Sequence, residues 1–232
     1  MKCLEQVLFC ILLAGSALTT SVYANETVDT SQISEDERDF YEYFNISKDE
    51  VDKLTEEAFQ YADQAPLVHD KGQFASRAIE GTWSLRDGVI CVSDAYFGST
   101  PINHGHAGIV AAAPYFDQTI EALNPSSGVQ AVYGIWPNRE DMQGRRIYQC
   151  GVKATSVEQD QQAAIMASQW LGRPYDWKST LTTTDTFYCS QLVYQAYRLG
   201  AGYTLPHSTP GVIFPADLLH GGATELIYRY EP

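Results

Sequence analysis

Three residues far apart in the chain suggest one reaction. Cys189 heads the stretch from Asp185 to Gly200, in which Leu192, Val193, Ala196, Tyr197 and Leu199 recur at helical spacing and Gly200 supplies a stop. A cysteine in a first helical turn meets unpaired backbone N–H groups and the positive end of the helix dipole. With a histidine beside it, its pKa can fall from about 8.5 to roughly 3.5–7.5. That would make a nucleophile of it, but a small buried core cysteine fits the same position, and only a partner base separates the two.

Of five histidines, His69, His207 and His220 fall in loops or in Pro/Gly-rich tail segments and read as solvated. His104 and His106 open an apolar run and share one strand face with Gly108 by period-two alternation. A rigid strand can hold an imidazole against a nucleophile on a packed helix. Glu121 lies on the next run. If the two pair as a hairpin, it can bond the far ring nitrogen, fix the tautomer and stabilise imidazolium; an exposed strand carboxylate is the equal alternative. His104 with His106 also suggests a shared zinc, yet no third ligand is in view, and the reading assigns no metal and no cofactor.

The elements that must position these residues follow from periodicity. Ser47 with Glu50 forms a capping box before Val51, Leu54, Ala58 and Ala62, and Ser156 with Gln159 forms another before Ala163, Ala164, Ile165, Ala167, Trp170 and Leu171, closed by Gly172 and Pro174. Between them, strands are expected over 84–92, 104–113, 116–123, 129–133 and 146–152, the last four as an antiparallel meander. A helical turn near Pro215 and a strand over 225–230 complete an α+β pattern.

The chain has 232 residues, 44% of them hydrophobic and 12% aromatic, which suits one catalytic-sized domain with appendages. Lys2, the apolar run Val7–Leu13 and small residues up to Ala24 form a signal-peptide pattern with cleavage near Ala24. This implies an exported, soluble product. The expected divisions are 1–24 as signal peptide, 25–66 as an acidic helical arm and 67–232 as the main domain. The net charge of −14 is concentrated in the arm: 13 Asp+Glu against 3 Lys+Arg in 25–66, and 15 against 11 in 67–232. No basic stripe exists to bind nucleic acid. Cleavage would leave Cys91, Cys150 and Cys189, an odd count; Cys91 and Cys150, both in strands, are candidates for a disulfide, and Cys189 for the free thiol.

Four motifs carry a family resemblance: Gly105 to Val110 around His106, Ile120 to Ala122 around Glu121, Gly172 to Asp176 around Tyr175, and Phe187 to Tyr194 around Cys189. In this order, over roughly Ser84 to Tyr230, they resemble the permuted papain-like amidases of the YiiX type, relatives of the NlpC-type cell-wall peptidases. The resemblance implies a permuted papain-like fold, histidine before cysteine, with Cys189 as nucleophile, His106 as base and Glu121 as orienting acid. It implies that Tyr175 lines the substrate site. Asp87 and Gly88 stand where the family often has the reverse order, away from any catalytic position, and the acidic arm lies outside the matched motifs.

The expectation is therefore an exported cysteine hydrolase that cleaves an amide through a thioester, with the Cys189 N–H as one oxyanion donor. Cell-wall peptides are one substrate class and acyl lipids the other: an apolar pocket would favour the acyl group, and a polar cleft with a charged anchor the peptide. The exported protein is expected to be secreted or associated with the cell envelope, and a secreted binding module without chemistry is the rival from another class.

Overall fold

A computed structural model describes residues 34–71, 81–95, 104–219 and 222–232. The expected signal peptide and His220 lie outside the described residues. Six strands form one antiparallel sheet: β1 (Ile90–Ser93), β2 (His106–Val110), β3 (Gln118–Ala122), β4 (Val129–Tyr133), β5 (Ile147–Val152) and β6 (Thr224–Tyr230), in the spatial order β4-β3-β2-β1-β5-β6. Among the described residues four α-helices accompany them: α1 (Glu35–Phe44), α2 (Lys48–Gln64), α3 (Val157–Ser168) and α4 (Cys189–Ala196).

A meander from His104 to Val152 would seat β5 beside β4. Instead β5 pairs with β1, Ile90 opposite Cys150 and Cys91 opposite Gln149. The cause is the 134–146 connection, which carries two 3₁₀ turns, Trp136–Asn138 and Glu140–Met142, back across one face of the sheet. Trp136 and Met142 pack there with Val89, Cys91, Val110 and Ile147. The other face is covered by helices: Ile90, Val92, Ala107, Ile109 and Ile120 join Ala163 and Ala167 of α3 and Leu192, Val193 and Ala196 of α4 in the larger core. Burying each such Leu, Val or Ile contributes about 1.5–3 kcal/mol, so this face holds α4 in place.

The two sheet faces also decide the cysteine question. Cys91 belongs to the core under Trp136 and Cys150 to the core under the helices, so their side chains leave the sheet in opposite directions. Both are free and buried, and the candidate disulfide is not formed.

Both capping boxes form: Ser47 accepts the Glu50 N–H and Ser156 the Gln159 N–H, each N3 side chain bonding back. The arm holds two helices where the sequence pattern marks one. The earlier, α1, starts at Ser34, whose Oγ accepts the Glu37 N–H at 3.1 Å, and ends at Asn45 in the left-handed region at φ 52°. Phe40, Val51, Ala58, Phe59 and Ala62 sink into the same core as the helical face of the sheet.

The back of α4 departs from expectation at Gly200. Helical bonding ends at Ala196, widens into a π turn over Tyr197–Ala201, and is capped by Gly202 at φ 70°. Gly200 lies inside that turn because α3 passes so close that a Cβ would sit 2.4 Å from the Gln162 carbonyl oxygen. Tyr197 secures the junction by donating its hydroxyl to the Gly88 carbonyl at 2.7 Å.

Candidate active site

Cys189 is the first residue of α4, after Tyr188 in an extended conformation at φ −110° and ψ 169°. Leu192 N–H bonds to the Tyr188 carbonyl at 2.9 Å, so the N–H groups of residues 189–191 precede the first intrahelical bond. The helix start is pinned by its own side chains. Ser190 Oγ donates to the Ile213 carbonyl at 2.7 Å, and Gln191 Nε2 donates to the carbonyls of Thr180 and Thr183, each at 2.9 Å.

His106 opens β2 on the Trp136 side of the sheet and is buried, with Nε2 donating to Glu121 Oε2 at 2.8 Å. Its ring stacks on Trp136 with centroids 5.5 Å apart and planes 25° apart. The ring also hydrogen-bonds the Cys189 thiol. With Nε2 committed to Glu121, Nδ1 is the nitrogen left to meet the sulfur. The structure thus brings Cys189, His106 and Glu121 into one chain.

Burial alone would push each of the three toward its neutral form, and in each the partners outweigh it. The Cys189 thiol is lowered by the hydrogen bond and charge of His106 and by the backbone N–H groups of Ala107 and Ser190. His106 is pushed up to about 9 by the bond to Cys189 and then by Glu121. Glu121 is held down at about 2 by His106 and then by Arg139. The arrangement favours a thiolate–imidazolium pair backed by a carboxylate.

Glu121 has partners that sequence reasoning did not find. Arg139 Nη1 donates to Oε1 at 2.5 Å and Nη2 to Oε2 at 3.4 Å, while Trp136 Nε1 donates to Oε1 at 3.1 Å and Thr119 Oγ1 also donates to Oε1. Arg139 is itself held by Asp141, through Nε at 3.0 Å and Nη2 at 2.6 Å. Thr119 was findable, since it shares a strand face with Glu121 at i, i+2. Nothing local marked Trp136 or Arg139, which arrive through the 134–146 connection.

His104 lies near this chain without joining it. Its Nε2 bonds the Tyr41 hydroxyl at 2.8 Å, and its Nδ1 is 3.9 Å from Asp52. Burial pulls its pKa down to about 4, against the charge of Asp52. His69 is exposed as expected, whereas His207 is half-buried and packs edge-on against Tyr194.

A pocket of about 480 Å³, open mouth included, lies beside Cys189. Phe40, Tyr175, Trp177, Tyr188, Ile213 and Phe214 give it an aromatic and aliphatic lining, and no Asp, Glu, Lys or Arg is among the described residues that face it. Tyr175 is set by a bridge to Phe187, two residues before Cys189. The 212–215 wall is set by Asp217, whose carboxylate accepts the N–H groups of Ser208 and Phe214 at 2.8 Å each.

The sequence model of the permuted papain-like amidase enzymes, the YaeF/YiiX, C92 family, matches residues 95–210, half of the chain. No curated protein sequence matches it. Among solved structures, the chain is similar to the metalloprotein yiiX from Escherichia coli O157:H7, at 19% identity and a TM-score of 0.51, over 65% of this chain and 100% of that one. At that identity the likeness concerns the fold. In this chain no group of three or more His, Cys, Asp or Glu residues among those described is placed to hold a metal ion, His104 and His106 being turned to Tyr41 and Glu121.

Proposed function

The chain belongs to the permuted papain-like amidase family, and on that premise we propose that Cys189, His106 and Glu121 cleave an amide whose acyl part is apolar. His106 Nδ1 takes the thiol proton and the sulfur attacks the carbonyl carbon. Negative charge then gathers on the carbonyl oxygen, and the first N–H groups of α4, Cys189's own among them, lie where a helix terminus stabilises an anion. As the tetrahedral adduct collapses, His106 returns the proton to the departing amine and a thioester remains on Cys189. Water, deprotonated by the same imidazole, then releases the carboxylic acid and restores the thiol. Through both halves Glu121 keeps Nδ1 facing the sulfur and offsets the imidazolium charge.

The observation that carries this reading is the chain from half-buried Cys189 to buried His106 and Glu121, opening onto an apolar pocket. The lining favours an acyl group over a peptide held by its charged termini, since its described residues offer neither carboxylate nor ammonium an ionic partner. The segment up to Ala24 supports export, which N-terminal sequencing of the product recovered outside the cytoplasm would test. For the chemistry, the protein is incubated with N-acyl amides and with cell-wall peptides, quenched, and examined by mass spectrometry. The expected result is the mass of an acyl group on Cys189, absent in Cys189→Ala. A thiol that titrates near the ordinary pH of about 8.5 and never carries an acyl group would favour a binding module instead.

A further inference from the structure

The family match begins at residue 95, leaving α1 and α2 outside it. Yet Phe40 of α1 lines the same pocket as Cys189, while being only 2% exposed. Its ring lies 5.6 Å from Trp177 and 6.2 Å from Phe214, both pocket residues. The helix that carries it is fastened beside the catalytic strand: Tyr41 bonds His104, two residues before His106, and the His104 ring meets Phe214 edge-on at 5.6 Å. The acidic arm, which lies outside the matched motifs, therefore supplies one wall of the site.

From this placement we propose that α1 is a specificity element, with Phe40 as the residue that limits the length of acyl chain the pocket accepts. The proposal rests on the amidase reading above. Its ligand class is a linear apolar chain, because Phe40, Trp177 and Phe214 offer aromatic faces and no charge. Each methylene that enters such a lining improves affinity about fourfold, until the chain meets a wall that cannot yield.

The test uses N-acylglycines differing by one methylene, with kcat/KM measured for the wild type, Phe40→Leu and Phe40→Ala. Phe40→Leu is the gentler change and guards against misfolding in Phe40→Ala. In the wild type kcat/KM should climb about fourfold per methylene and then fall; in the variants the break should move to longer chains, by about one methylene in Phe40→Leu and further in Phe40→Ala. A break at the same length in all three proteins, or a uniform loss at every length, overturns the role of Phe40 and leaves the amidase reading intact. If the wild type hydrolyses no member, the amidase reading fails, and binding of the matching fatty acids by calorimetry judges the wall alone. A longer limit in Phe40→Leu then supports it; an equal limit, or no binding, overturns it.

Discussion

Replacing Glu121 by Gln tests the chain of three residues at its least obvious member. The amide has the carboxylate's shape, and its orientation is dictated from behind. Arg139 Nη1, Trp136 Nε1 and Thr119 Oγ1 all donate to Oε1, against a single 3.4 Å contact from Arg139 Nη2 to Oε2, so the amide oxygen takes the place of Oε1 and the NH₂ group that of Oε2. There it would donate to His106 Nε2, which in the native protein is itself the donor. The ring must then carry its proton on Nδ1, facing the sulfur, where it cannot act as a base. Charge is lost as well. His106 is raised from 6.5 to about 9 against the opposing effect of burial, a gap of roughly 3 kcal/mol, to which the hydrogen bond to Cys189 is the largest single raising contribution and the bond and charge of Glu121 the next two, a substantial remainder. Losing that remainder lowers the thiolate–imidazolium population at neutral pH about 10- to 100-fold, and the wrong tautomer in the analogous serine enzymes costs about 10⁴ in kcat. The expected loss in kcat/KM is therefore between about 10² and 10⁴. Alkylation of Cys189 by iodoacetamide, followed against pH, gives an independent readout. The wild type should react readily at neutral pH, and Glu121→Gln should shift toward the ordinary thiol range near pH 8.5. An unchanged alkylation profile together with a loss smaller than about threefold would refute the reasoning.

Other expectations follow from the same site. Glu121 is fully buried and its pKa falls from 4.5 to about 2 on folding, so its contribution is present above pH 4.5 and is lost as pH falls toward 2. Urea unfolding should show about 3 kcal/mol of stability disappearing across that window in the wild type, and a markedly flatter acid limb in Glu121→Gln. Gly108→Ala would set a Cβ 2.9 Å from Glu121 Cγ and 3.1 Å from Trp136 Cζ2. Both neighbours are buried and pinned, so it should destabilise by about 1–3 kcal/mol, lower Tm by about 2–4 °C for each, and reduce kcat/KM; unaltered activity and melting would show that the carboxylate can give way. Trp136→Phe keeps an aromatic ring against His106 but removes an N–H from Glu121, for which a loss of about 3- to 30-fold in kcat/KM at near-native alkylation pH is expected. No kinetic change would make the indole a packing residue alone.

The parts of this site that were legible in the sequence are those encoded locally. Cys189 announces itself by heading an apolar helical stripe, and His106 and Glu121 by sitting on successive runs that pair as β2 and β3 through Ile109 and Ile120. Ser47 and Ser156 announce helices because a cap and its N3 partner are three residues apart. The rest depended on where the chain travels between elements. No periodicity in 134–146 says that this connection recrosses the sheet, so the fit of Arg139 and Trp136 to Glu121 was hidden, and so was the pairing of β5 with β1. Phe40 was hidden for a related reason: its ring serves a pocket whose other walls lie more than sixty residues away. Gly200 misled because a glycine after an apolar stripe signals a stop, whereas here it makes room for α3.

The separation of Cys91 and Cys150 onto opposite faces of the sheet makes the molecule its own indicator of integrity. Burial pushes the Cys150 thiol up to about 12 and raises Cys91 further still, while Cys189 is lowered. Of these three sulfurs, a mild reagent in neutral buffer should consume one at once and the other two only as the sheet comes apart. The fast phase of such a titration counts competent molecules, and the slow phase times how often the interior opens.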